Sequence, residues 1–327
     1  MSAVLRLGTR RSALAMTQAQ HVADALTART GRAVELVQVT THGDVSTEAL
    51  AQIGGTGVFV SALREALLAG EIDFAVHSLK DLPTADPQGI VLAAVPLRED
   101  PRDVLVARDG LTLGELPGGA RVGTGSPRRA AQLRALGLDL DVVAVRGNVD
   151  TRLGLVDKGE VDAVVLARAG LARLGRLDAV TEVIDPIQML PAAGQGALAV
   201  ECREPGSPRV AARGTNDGHD PIDPEELHLL LRELDDAETR LAVTAERTLL
   251  ATLEAGCSAP VGAYGEPAEG EHVPELYLRA VVVSVDGTAS VRLSATGPLD
   301  EAARIGRELA TELLDEGAAD LMQERVT

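Results

Sequence analysis

The sequence predicts an α/β protein built from two similar units, followed by a small α+β tail. Three observations support this. Short apolar runs alternate with helix-length segments over the first hundred residues. The same alternation restarts near residue 121. Beyond residue 237 the pattern changes to one helix, a pair of strands and a last helix.

The elements follow in order. Residues 4–7 form a short buried strand, and Ser12 is placed to cap a helix over 13–30, with Gly31 as its stop. VELVQV at 34–39 is a second strand, and residues 43–57, rich in Gly, Thr and Ser, form a long loop. A helix at 58–69 leads to strand IDFAV at 72–76, and IVLAAV at 90–95 is the next strand. Strand–helix alternation of this kind predicts parallel α/β architecture. In the second unit, strands are expected at 121–123, 141–145 and 161–167, with helices at 127–136, 149–157 and 168–174. ALAVEC at 197–202 returns to strand character, and 204–226 reads as a mobile linker or surface insertion because it is rich in Pro, Gly and Asp. The tail has a helix at 237–254, strands near 276–285 and 289–296, and a helix at 299–316.

Composition narrows the function. A chain of 327 residues with 45% hydrophobic content supports two or three domains. A 24% charged fraction excludes a disordered chain or a membrane protein by composition. No apolar run is long enough for a bilayer, and MSAVLRLGTR has no signal-peptide core, so a cytoplasmic location is expected. Two distant cysteines, Cys202 and Cys257, do not make a disulfide scaffold, and no histidine pairs with a cysteine at zinc spacing, so no metal is expected.

The net charge of −18 argues against a nucleic-acid partner. Residues 121–176 run against that trend, with nine arginines and one lysine against six acidic residues: a local +4 that leaves −22 elsewhere. A cationic segment in an acidic chain points to a focused anion site.

Several segments carry the residue types such a site needs. HSLKDLP at 77–83 follows a strand, which puts Lys80 and Asp81 where open α/β sheets present ligand groups; a solvated turn closed by Pro83 is the plainer reading. VGTGSPRR at 122–129 is a strand, a tight turn and a helix start. Its Gly125 and Ser126 N–H groups, together with Arg128 and Arg129, suit a carboxylate or phosphate. The alternative is a capped helix with surface arginines. RGNVDTR at 146–152 repeats the arrangement, Arg173 lies in a third unit of the same kind, and GTRRS presents Arg10 and Ser12 after the first strand. AAGQGA at 192–197 is a flexible connector that exposes Gln195. Cys257 sits in a small-residue loop, LEAGCSAP, that leaves a thiol reachable, although a buried small hydrophobe is the plainer reading of an isolated cysteine; Cys202, inside an apolar strand, takes that plainer reading.

Together these stretches resemble the porphobilinogen deaminase family. LRLGTRRSALA, THGDV, GGTGVFV, IDFAVHSLKDLP, REDPRD, VGTGSPRRAAQL, VRGNVDTRL, LARAGLARLG, LPAAGQGALAVECR, VTAERTLL and LEAGCSAPVG carry the resemblance collinearly from residue 4 onward. The resemblance implies two domains like type II periplasmic binding proteins, the first of them discontinuous, plus a small C-terminal α+β domain. The implied boundaries are 1–97 with 197–233, then 98–196, then 234–327. It also implies a monomeric transferase that adds four units of the substrate porphobilinogen, each losing ammonia, to a dipyrromethane cofactor, and releases a linear tetrapyrrole by hydrolysis.

By the same resemblance Cys257 holds the dipyrromethane through a thioether, and Asp81 is the catalytic carboxylate that steadies a cationic azafulvene. Lys80, Asp81, Thr124, Ser126, Arg128, Arg129, Arg146 and Gly147 match cofactor contacts. Arg10, Ser12, Phe59, Arg146, Arg152, Arg173 and Gln195 match substrate contacts. The chain departs from the family pattern at Gln52 and Thr56, where lysines are common, and at His42, Gly125 and Pro127; the 204–226 stretch is long. Two rival functions remain: a two-lobed anion-binding protein without turnover, and a paralogue acting on a modified pyrrole.

Overall fold

The computed structural model describes residues 4–39, 57–210, 221–256, 259–270 and 273–322. The chain divides into two compact units, 1–98 with 197–240 and 99–196 with 241–327.

The first unit holds a five-stranded sheet in the order β2-β1-β3-β10-β4, formed by β1 (Leu5–Thr9), β2 (Val34–Gln38), β3 (Phe74–Ser78), β4 (Ile90–Ala94) and β10 (Leu198–Arg203). β1, β2 and β3 are parallel, whereas β10 runs antiparallel to both β3 and β4. The parallel arrangement expected from the strand–helix alternation holds for β1, β2 and β3; β10 differs because it enters after the chain has passed through the other unit, so no crossover helix sets its direction.

Helices cover both faces. α1 (Ala13–Thr30) packs Ala19, Val22 and Leu26 with Leu5, Leu7 and Phe74, and α6 (Pro224–Arg232) adds Leu227 and Leu231 to that core. On the other face α2 (Gly57–Leu68) buries Leu63 and Leu67 with Ile72 and Ala75. α1 begins and ends where its sequence predicts: Ala15 N donates to Ser12 Oγ at 3.3 Å, and Gly31, at φ 70°, donates to Thr27 O. α6 falls at the end of the stretch read as a linker, residues 211–220 of which lie outside the described residues.

The second unit repeats the plan in a sheet of order β7-β6-β8-β5-β9. Its strands are β5 (Asp103–Ala107), β6 (Arg121–Thr124), β7 (Asp141–Ala144), β8 (Ala163–Ala167) and β9 (Glu182–Val183), with β6, β7 and β8 parallel and β5 antiparallel to β8. α3 (Pro127–Ala135) packs Leu133 on one face, while α4 (Val149–Asp157) and α5 (Arg168–Arg173) pack Leu153, Val156 and Leu171 on the other.

The small C-terminal portion is an antiparallel sheet of β11 (Val261–Ala268), β12 (Glu275–Val283) and β13 (Ser290–Pro298), covered by α7 (Ala237–Thr252) and α8 (Ala302–Asp315). A short α9 (Ala318–Met322) follows. β13 alternates strictly between exposed and half-buried positions, the period of a strand with one covered face. β5, β9, β11, α6 and α9 were not expected from the sequence. Among the described residues no helix is long and apolar enough to cross a membrane.

Candidate functional site

Both α/β sheets place their central strands beside a topological switch, the point where strand order reverses and open α/β sheets leave a crevice at the carboxyl ends. In the first unit β1 lies between β2 and β3, and the residues that follow β1 and β3 are Arg10, Ser12, Lys80 and Asp81. Lys80 and Asp81 sit in a single 3-10 turn, Leu79–Asp81, half-buried. That turn is pinned at its start, where Leu79 N donates to Ala197 O at 3.0 Å, and Gln18 Nε2 donates to Ser78 Oγ at 3.0 Å.

Beneath this strand end lies a cluster that sequence reasoning missed. Glu201 of β10 is buried and takes two hydrogen bonds from Arg64 of α2, Nη2 to Oε1 at 2.7 Å and Nε to Oε2 at 3.1 Å. His77 Nε2 lies 3.3 Å from Oε2 of the same carboxylate. Burial raises the Glu201 carboxyl, but the contacts from His77 and Arg64 outweigh it and hold the group at about 2. The signal was a glutamate inside the otherwise apolar run LAVEC.

In the second unit the turn after β6 takes the predicted form. Ser126 N donates to Thr124 Oγ1 at 3.2 Å, Ser126 Oγ accepts from Arg129 N at 3.4 Å, and Pro127 opens α3. After β7, Asn148 caps α4 by accepting from Thr151 N at 2.8 Å. Gly147 adopts φ 103°, and a Cβ there would stand 2.7 Å from Thr151 Cβ, so the turn admits only glycine without rearrangement. Arg146 beside it is exposed.

Arg128 and Arg129 point inward. Each is only 4% exposed, and both meet Asp103 of β5, which is fully buried. Arg129 donates through Nη2 at 2.8 Å and Nε at 3.1 Å to Oδ1, and through Nη1 to Val165 O at 3.1 Å. Arg128 Nη2 lies 2.8 Å from Oδ2, an ion-pair contact whose alignment falls short of a hydrogen bond, while Nη1 donates to Leu190 O. Gln195 Nε2 donates to Asp103 Oδ1 and to Pro101 O, both at 2.7 Å. Gln195 is thus buried rather than exposed as expected. Burial pushes the Asp103 carboxyl up, but the Arg128 and Arg129 charges and the hydrogen bonds from Arg129 and Gln195 bring it down to about 2.

Arg152 of α4 is half-buried, and its Nη2 lies 3.6 Å from where a Cβ on Gly125 would stand, against the turn that follows β6. Burial and the neighbouring Arg129 charge lower its pKa. Its Nε, like that of Arg128, has no hydrogen-bond partner among the described residues. Burial also lowers Arg173, which donates Nη2 to Gly196 O at 2.6 Å. Gly196, at φ 89°, would put a Cβ 2.3 Å from Glu99 O, so the 192–197 connector is tightly seated. Buried Glu246 of α7 holds the same connector, accepting from Gly194 N at 2.6 Å and Gly265 N at 2.8 Å.

The second unit therefore gathers Arg128, Arg129 and Gln195 on one carboxylate, Asp103, and places Thr124, Ser126 and Arg152 at the turn that opens α3. Arg10, Ser12, Lys80 and Asp81 belong to the first unit. Cys257, His42, Gln52 and Thr56 lie outside the described residues, and of Phe59 only the helical backbone is described. Cys202 is fully buried as expected, its thiol pushed up to about 12 by burial. Asp103, within REDPRD, is a second residue that sequence reasoning missed; a charged residue leading the apolar run VLVA was the available signal.

Comparison with known proteins bears on all of this. Residues 5–210 match the family described as porphobilinogen deaminase, dipyromethane cofactor binding domain, and residues 240–315 match the porphobilinogen deaminase C-terminal domain. The chain is 59% identical over 330 residues to porphobilinogen deaminase 1 of Streptomyces coelicolor, covering 98% of each protein. It is 57% identical to the porphobilinogen deaminase of Nocardia farcinica, covering 98% of this chain and 88% of that one. With the enzyme of that name from Thermobifida fusca it shares 56%, over 97% of this chain and 95% of the relative. Among solved structures, the periplasmic VFT2 domain of Bordetella pertussis BvgS aligns at TM-score 0.40 and 18% identity, over 71% of this chain and 86% of that one. The methionine binding protein MetQ aligns at 0.39 and 14%, over 70% and 89%. Likeness at that level adds nothing to what the sheets themselves show. The two family matches and the near-full-length identity are decisive: the chain belongs to the porphobilinogen deaminase family.

Proposed function

We propose that this chain is the transferase that joins four porphobilinogen units head to tail on a covalently held dipyrromethane and releases the linear tetrapyrrole by hydrolysis. One observation carries the reading: Arg128 and Arg129 share a single carboxylate, Asp103, and the half-buried Arg152 feels the Arg129 charge, in a chain whose net charge is −18. Guanidinium groups in excess of their counter-charges, partly desolvated, suit a ligand that brings its own carboxylates.

The residues fit the cofactor. A dipyrromethane bears acetate and propionate groups, and the buried Nε atoms of Arg128 and Arg152 are donors without a partner among the described residues. In this reading Cys257 holds the group by a thioether, and Lys80, Asp81, Thr124, Ser126, Arg128, Arg129, Arg146 and Gly147 bind it. When bound, the dipyrromethane supplies the free pyrrole carbon to which the first unit is joined.

Arg10, Arg152 and Arg173 bind the carboxylates of incoming porphobilinogen, with Arg146, Ser12, Phe59 and Gln195 completing the contacts. The Asp81 carboxylate faces the substrate pyrrole N–H, offsets the positive charge that develops as ammonia leaves, and accepts the proton released when the new carbon–carbon bond forms. Arginines that stay charged throughout suit a product that gains carboxylates at each addition. We further read residues 234–327 as a third domain and the chain as a cytoplasmic monomer.

The test is an intact-mass measurement on purified wild type and Cys257→Ser, paired with Ehrlich's reagent for pyrroles. Wild type should carry a bound dipyrromethane and the variant none. Pigment retained on the variant would refute the attachment, and a wild type that neither carries nor acquires the group from porphobilinogen would refute the function.

A further inference from the structure

We propose that Asp103 is a positioning residue of the site: it sets the orientation and net charge of Arg128 and Arg129, and through Gln195 ties them to the 192–197 connector. The inference rests on the functional reading above, which assigns those arginines to ligand binding, and gives Asp103 a role in turnover that the reading does not assign.

The geometry is unusual for a simple ion pair. One fully buried carboxylate faces two guanidinium groups, each almost fully buried. Its Oδ1 takes both Nε and Nη2 of Arg129, and its Oδ2 faces Nη2 of Arg128. Each arginine is then fixed on its far side by a backbone carbonyl, Arg129 by Val165 O and Arg128 by Leu190 O. Two planar forks held at both edges have few orientations left, so their remaining N–H groups point in set directions. Gln195 donates to the same Oδ1 and reaches Pro101 O, so the start of β5 and the connector share the carboxylate.

The charge count matters as much. Two adjacent guanidinium groups out of water repel each other and lose hydration. Burial and Arg129 both weaken the charged form of Arg128, and Asp103 opposes them. One carboxylate for two cations allows both arginines to stay charged indoors while a single positive charge remains uncompensated. A second acid would cancel the attraction for a ligand carboxylate, and none at all would leave two unmatched buried charges. That stoichiometry separates a positioning role from plain structural pairing, in which charges normally balance.

The roles differ in what they predict for kinetics. Removing a merely structural carboxylate lowers stability and the folded fraction but leaves each folded site unchanged. Loss of a positioning carboxylate leaves ground-state attraction intact, since the site becomes more positive, and costs turnover because the forks lose their aim.

The test compares wild type, D103N, D103E, R128Q and D103N/R128Q as purified holoenzymes, with cofactor loading normalised by intact mass. Thermal midpoint, KM and kcat for porphobilinogen are measured, and the D103N crystal structure is determined. For D103N the expected result is a kcat lowered at least ~10-fold with KM changed less than ~3-fold. D103E should recover part of kcat, and at least one of the Arg128 and Arg129 guanidinium groups should be displaced in the D103N crystal. Should D103N fail to fold, D103N/R128Q removes a cation with the carboxylate, and its kcat should fall at least ~10-fold below that of R128Q alone. Wild-type kcat in D103N, or equal kcat in R128Q and the double variant, would overturn the proposal while leaving the functional reading intact. A wild type without turnover would sink the functional reading; undisplaced guanidinium groups in D103N would sink the positioning role in either case.

Discussion

Glu201→Gln offers a demanding test of the electrostatics in the first unit. The carboxylate is 2% exposed, receives both forked donors of Arg64 and lies beside His77, and it titrates at about 2 against an ordinary 4.5. That difference corresponds to about 3 kcal/mol of stability in the ionised state. The folded-state value is depressed, so the contribution is fully present above the unfolded value near 4.5 and is lost as pH falls toward 2. Glutamine keeps the shape, removes the charge and leaves Arg64 without its counter-ion. E201Q should therefore be about 3 kcal/mol less stable than wild type at neutral pH, and the gap should narrow to about 2 kcal/mol near pH 3.5 and close further below it.

The assay is urea unfolding followed by far-UV circular dichroism. The chain has no tryptophan, and its two tyrosines, Tyr264 and Tyr277, both lie in the second unit. Tyrosine emission therefore reports that unit separately and serves as the control. A variant as stable as wild type at neutral pH, or a gap that stays constant on acidification, would refute the reasoning.

Two further substitutions probe the site. Arg152→Gln removes a half-buried cation that burial and Arg129 already disfavour, so the fold should lose nothing and gain up to about 1 kcal/mol, while KM for porphobilinogen rises at least ~10-fold; a fall in thermal midpoint with unchanged KM would contradict this. Asp81→Ala removes a carboxylate on a half-buried turn outside the core, so the circular dichroism spectrum and cofactor mass should be retained while turnover is lost; product formation near the wild-type rate would exclude its catalytic role.

Features set by neighbouring residues were legible in the sequence. Ser12 and Gly31 mark the ends of α1, Ser126 caps α3 and Pro127 opens it, because caps and turns are satisfied by groups two to four residues away. The motifs around Arg128, Arg146 and Arg152 were legible for the same reason: a strand, a turn and a helix start form one local unit. The collinear stretches carried the family, and with it the expected chemistry.

The tertiary structure alone decided where the charges are spent. Arg128 and Arg129 could have been surface arginines or free anion receptors; a carboxylate about twenty-five residues earlier in the chain turns both inward. Glu201 finds Arg64 from 137 residues away, and β10 joins its sheet antiparallel after the chain returns from the second unit. Such pairings are invisible to periodicity because they depend on which strands become neighbours. Neighbouring strands are chosen by burial of apolar faces across the whole unit, and a buried charge then takes whichever partner that choice brings within reach.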